Sequence, residues 1–197
     1  MVRMARQIVR YGVGLGVGLC LLVGCSETVD PNAMPAGPDQ IAETFYRALL
    51  ANPLVDLPAP EQLRPFRPLL QQSLLRRLEQ AHAVDLSIRS STQLATPPAV
   101  QGSLFTSLAD GFTDFELVAC QTKKLKSRCQ FTLIYNKQGH TIEWQDELRL
   151  RRGRLGWQVE DLVYGGNWVY APTGKLTSRL DVVIASVPAP APAKPRS

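Results

Sequence analysis

Histidine is nearly absent from this chain, which holds only His82 and His140. Neither has a Cys, Asp or Ser partner at motif spacing, so both read as solvated residues, one at a helix end and one in a hairpin turn. Also missing are a nucleophile elbow, a phosphate-binding loop, a metal-ligand spacing and a nucleotide-binding glycine fingerprint, so no metal or cofactor is implied. The apolar run from Tyr11 to Gly24 is too short to span a bilayer as a stable helix. The basic excess is small where it matters. Lys and Arg number 22 against 17 acids, but residues 1–24 hold three arginines and no acid, which leaves 19 against 17 in the remainder. Near-neutral balance excludes a general nucleic-acid-binding surface.

What the first segment does hold is a positive stretch, Arg3, Arg6 and Arg10, followed by that apolar run. This is the layout of a signal peptide. Its end, Leu22-Val23-Gly24-Cys25, resembles the bacterial lipobox, which implies lipidation of Cys25 and cleavage just before it. Three acyl chains there, palmitate among them, would anchor the protein permanently, since each buried methylene contributes about 0.8 kcal/mol. Ser26 stands where an Asp would favour retention at the inner membrane, so the resemblance implies the outer membrane, with the domain facing the periplasm. The expected organisation is a signal peptide over 1–24 and a lipidated Cys and flexible tether over 25–38. A single domain follows over 39–186, and then a disordered Pro/Ala-rich tail over 187–197.

With Cys20 removed and Cys25 lipidated, Cys120 and Cys129 remain. An even pair in an exported protein reads as a disulfide. Cys120 ends one expected strand and Cys129 begins the next, so the two face each other across a hairpin. Closing that loop stabilises the fold by about 2–3 kcal/mol on the chain-entropy account.

Period-two alternation marks four antiparallel strands, Phe112 to Cys120, Cys129 to Asn136, Thr141 to Arg151 and Leu155 to Tyr164. In the third, Ile142, Trp144, Leu148 and Leu150 point to the core, while Glu143, Gln145, Glu147 and Arg149 point to water. In the fourth, Leu155, Trp157, Val159 and Val163 point inward. Helical stripes precede the strands. The first runs from Asp39 to Pro53 through Ile41, Ala42, Phe45, Ala48 and Leu49. A short turn follows near Glu61 to Phe66, and a longer helix to Ala83 buries Leu74, Leu75 and Leu78 beside solvated Arg76, Arg77 and Glu79. Leu104 to Leu108 reads as a helical turn, and Thr173 to Ser186 as a last helix. Helices on a bent four-stranded antiparallel meander, closed by a C-terminal helix, make an α+β domain.

Phe45-Tyr46, Leu63-Arg64-Pro65-Phe66, Leu104-Phe105-Thr106-Ser107-Leu108 and above all Trp157 to Tyr164, with Gly165-Gly166 and Trp168, resemble a family of proteobacterial envelope lipoproteins. Their fold is similar to the cone-shaped nuclear-transport-factor-like and ketosteroid-isomerase-like proteins. The resemblance implies fold and location, and no reaction.

Two acids break the alternation on the core side. Asp146 shares a face with Trp144 and Leu148, and Asp161 with Trp157 and Val159. Directly or diagonally opposed in a cavity, they would form a candidate acid–base pair. Bonded to a Trp, a Tyr or an inward Arg47, they would instead pin helix to sheet. The second candidate site is basic. The first and third turns of a meander lie at one end of the sheet, which would gather Lys123, Lys124, Lys126, Arg128, Arg151, Arg152 and Arg154 there. The favoured function is non-enzymatic, with the domain binding or supporting an acidic protein, lipid or glycan surface of the envelope. The alternatives are an isomerase-like or small-ligand pocket at Asp146 and Asp161, and an immunity-type inhibitor of a periplasmic toxin.

Overall fold

A computed structural model describes residues 36–91 and 99–186. Helix α1 spans Pro38–Ala51, a 3-10 turn covers Arg64–Phe66, and α2 spans Gln72–Ser91. Strands β1 (Asp114–Lys123), β2 (Lys126–Lys137), β3 (His140–Gly153) and β4 (Gly156–Val163) follow, and then α3 (Leu176–Ala185). The sheet is an antiparallel meander in the order β1-β2-β3-β4. The expected α+β class, four strands and C-terminal helix are all present. Cys20, Cys25 and the Pro/Ala tail lie outside the described residues.

Pro38 opens α1, where a missing N–H costs nothing, and Gln40 Oε1 accepts the Gly37 N–H at 3.2 Å. Ala42, Phe45, Tyr46 and Leu49 recur at helical spacing and are buried. On the sheet, the opposed pairs Cys129–Leu148, Phe131–Asp146 and Leu133–Trp144 face inward. Phe45, Tyr46, Phe66, Phe105 and Phe131 are fully buried, so the space between helices and sheet is filled by rings. Tyr46 stands 4.5 Å from Phe131, and Phe45 stands 5.3 Å from Phe105, centroid to centroid. Cys120 and Cys129 are register partners and form a disulfide. Among the described residues, the core cluster lies between Ala42 and Val183 and encloses the crosslink, the arrangement expected of a unit that folds by itself.

Several expectations are corrected. The strands run into the Lys- and Arg-rich turns, leaving two-residue connections, because the ladder continues past the disulfide to Lys123–Lys126. Helix α2 continues past Ala83 to Ser91, held by Asp85, which is buried, salt-bridged to Arg89 at 2.6 Å and bonded to the Ala99 N–H at 2.8 Å. Leu104 to Leu108 is irregular rather than helical. Helix α3 begins at Leu176, later than Thr173.

The largest correction is in β4. Leu150 pairs with Val159 but Arg149 pairs with Asp161, which leaves Glu160 as the extra residue of a bulge. Opposed residues share a face, so the bulge puts Leu162, opposite Leu148, in the core and turns Asp161 to the other face. Val163 is only half-buried, Ile142 is exposed, and Leu155 is 82% exposed at a turn. Strict alternation had placed all three inside.

Candidate functional site: the basic end of the sheet

Lys124-Leu125 connects β1 to β2, and Arg154-Leu155 connects β3 to β4. The first and third connections of a meander share an end, and here they are fastened together. The Arg152 N–H donates to the Leu125 carbonyl oxygen at 2.9 Å, and Lys126 pairs with Arg151 across the ladder. The middle connection, Gln138-Gly139, lies between Lys137 and His140 at the other end. Lys123, Lys124, Lys126, Arg128, Arg151, Arg152 and Arg154 are therefore gathered as the sequence indicates, and all are exposed. Arg151 is bonded to Glu160 at 3.2 Å. Among the described residues, the other six make no ion pair. No salt bridge neutralises these six, and their positive potential acts over about a Debye length, roughly 8 Å at physiological ionic strength.

Beside these tips lies a polar groove of about 350 Å³. Lys126, Arg128 and Arg149 line it from the sheet, Arg77 from α2 and Lys175 from the start of α3, against the acids Glu160 and Asp161. Arg77 is held by Asp181 at 2.9 Å and Arg149 by Glu147 at 2.7 Å. Among the described residues, Lys126, Arg128 and Lys175 have no such partner. Sequence reasoning assigned Arg77 and Arg149 to solvated faces and passed over Lys175. No local pattern could join residues that only the docking of α2 and α3 brings together.

The two acids do not meet. Asp146 is 1% exposed and accepts four hydrogen bonds. They come from the Ser107 N–H at 2.9 Å, the Ser107 hydroxyl, the Gly165 N–H at 2.9 Å and the Trp144 indole at 3.1 Å. Ser107 Oγ in turn accepts the N–H groups of Gly165 and Gly166 at 3.1 and 3.0 Å. Gly165 is required, because a Cβ there would lie 2.0 Å from the Gln145 carbonyl oxygen. Trp168 stacks edge-on against Trp144, with ring centroids 5.8 Å apart.

Asp161 serves a different element. It accepts the Thr177 N–H at 3.0 Å and the Thr177 hydroxyl at 2.8 Å, so it caps the start of α3 from across the chain. Its register partner is Arg149, three residues along β3 from Asp146, an odd number that places the two acids on opposite faces. Neither is bonded to Arg47, which is exposed and paired with Glu43 at 2.7 Å. Of the two arrangements open to these acids, the structure holds the pinning one, with the Trp144 indole among the donors to Asp146 and each acid in its own network. His82 lies 3.0 Å from the Leu57 carbonyl oxygen through Nδ1, and His140 starts β3 in solvent.

Two tyrosines have displaced titrations. Burial raises Tyr46 well above the ordinary phenol value, helped by the nearby charge of Asp146 and by Tyr164. Burial also pushes Tyr164 up to about 12, opposed by the Arg179 guanidinium, which stands 5.9 Å from its ring centroid. Tyr164 donates to the Leu104 carbonyl oxygen at 2.8 Å, whereas the Tyr46 hydroxyl is buried without a partner among the described residues.

Among known proteins, no family model, curated protein or solved structure matches this chain.

Proposed function

We propose that the protein is a lipoprotein of the outer membrane, anchored through Cys25, whose periplasmic domain holds an anionic component of the envelope at the basic end of its sheet, without catalysis. The observation that carries this reading is the fastening of the first hairpin tip to the third, which concentrates unpaired cations on a domain of near-neutral balance. Such a surface steers an acidic protein, glycan or lipid surface toward itself and fixes its orientation. An interior packed with rings, and acids committed to separate networks, give the isomerase-like reading no paired site. An immunity-type inhibitor would use the same basic surface, and the identity of the captured partner separates that case.

Two measurements test the reading. Cys25→Ala should abolish palmitate incorporation and release the protein from outer-membrane fractions; labelling that persists ends the anchor reading. Reversing Lys123, Lys124, Arg152 and Arg154 to Glu should abolish capture of envelope components at low salt, where the wild type captures them. Equal capture by both would leave the basic end as a solubilising tip.

A further inference from the structure

Each of the two fastened tips carries a leucine at its summit. Leu125 is 57% exposed and Leu155 is 82% exposed, at turn positions that polar residues and glycine normally fill. Lys124 precedes one and Arg154 the other, and there is no acid from Lys123 to Arg128 or from Arg151 to Leu155. Cations alone would suit any acidic surface. A glycan would take the cations and leave both leucines in water, whereas a phospholipid bilayer has a place for each kind of group. Its phosphates meet the lysines and arginines, and its acyl boundary takes the leucines just beyond.

The route of the chain agrees with this orientation. At the start of α1, the Pro38 carbonyl oxygen lies 4.0 Å from Cys129 Sγ. Cys129 is three residues along β2 from Lys126 at the tip, about 10 Å at the usual strand rise. The polypeptide therefore enters the domain at the same end as the two tips. Twelve residues, Ser26 to Gly37, separate that point from Cys25. Whatever its path, a stretch of twelve residues reaches no more than about 40 Å, which keeps the basic end near a surface in which Cys25 is held.

We infer that the joined tips form a membrane-docking edge, with Leu125 and Leu155 inserted at the acyl boundary of an anionic phospholipid surface and Lys124, Arg152 and Arg154 on its phosphates. The inference rests on the proposed reading for the anchor and names the partner which that reading leaves open. The anchor confines the domain to the membrane, and the edge sets its orientation, leaving the groove beside Lys175 at the domain's membrane-proximal end.

The test uses residues 26–197 without lipid, since the core and disulfide lie wholly inside that segment. It should sediment with vesicles of phosphatidylethanolamine and phosphatidylglycerol, not with phosphatidylcholine alone, and less strongly as salt is raised. Changing Leu125→Ser and Leu155→Ser together should weaken partitioning at least about tenfold. The melting temperature should be unchanged, because both side chains are exposed. An environment-sensitive fluorophore on Leu155→Cys should report an apolar surrounding on vesicle binding.

Vesicle binding unaffected by the leucine changes would overturn the inference and leave charge alone. So would failure to bind anionic vesicles, including the case in which a soluble anionic polysaccharide is captured instead. Palmitate labelling of the full chain reports on the anchor separately. A chain that takes no lipid yet binds vesicles through its leucines removes the anchor reading and keeps the docking edge.

Discussion

Asp161 of β4 receives both the N–H and the hydroxyl of Thr177, so the start of α3 is capped by a side chain sixteen residues earlier in the sequence. Lys175, at the helix N-cap itself, offers no side-chain bond. Asp161→Ala should therefore cost about 1–2 kcal/mol, the usual price of a lost cap, with Asp161→Asn costing less. Urea unfolding gives the total, and amide exchange at Thr177 should accelerate selectively. An unchanged midpoint with slow Thr177 exchange would mean that α3 does not depend on this cap.

The four donors on Asp146 make a second prediction. Asp146→Asn sets an amide N–H2 against a donor and should cost about 2–3 kcal/mol, while Ser107→Ala should cost about 1–3 kcal/mol. The double variant should fall short of the sum, because both residues belong to one network. Chemical denaturation of the four proteins checks this. A cost below about 0.5 kcal/mol for Asp146→Asn would show that the carboxylate is not structural.

Tyr46 presents the opposite case, a buried hydroxyl with no partner among the described residues. Tyr46→Phe should raise stability by about 1–2 kcal/mol, since it removes the desolvation cost of an unpaired group. The same residue contributes to alkaline unfolding. The folded-state titrations of Tyr46 and Tyr164 lie above that of a free phenol, so their contribution is intact below about pH 10. Above it, the unfolded chain ionises first and binds fewer protons, and stability falls by up to about 1.4 kcal/mol per pH unit for each tyrosine. For Tyr164 the loss continues to about pH 12. Tyr46→Phe should show a shallower decline across this window in melting scans; an identical slope would exclude Tyr46 from it.

The disulfide joins direct register partners nine residues apart. Replacing both cysteines with Ser should lower stability by about 2–3 kcal/mol on the loop-entropy account without changing the topology. The rest of the β1–β2 ladder, from Lys123–Lys126 to Asp114–Ile134, remains to hold the hairpin. Far-ultraviolet circular dichroism should be preserved and the melting temperature lowered. Loss of the sheet signal would show that the crosslink is needed for the hairpin to form.

The class, the four strands, the crosslink and the basic end are legible in the order of the residues. These follow from short-range patterns, namely the period-two burial of Phe131 and Leu133, the spacing of Ala42, Phe45 and Leu49, and the rule that alternate turns of a meander share an end. Alternation failed where one residue was inserted. Glu160 produces a bulge, and its single extra position moves Asp161 from the core face to the cap of α3 and brings Leu162 inside. Leu155 was misread for a related reason, because an apolar residue beside a strand carries no mark that tells a core position from a turn summit. The tertiary structure alone decided that Arg152 bonds to Leu125, that Lys175 and Arg77 flank the basic tips, and that Pro38 enters the domain beside Cys129. Each of these contacts joins segments distant in sequence, and their geometry is set by how helices and sheet pack, which nearest-neighbour preferences do not encode.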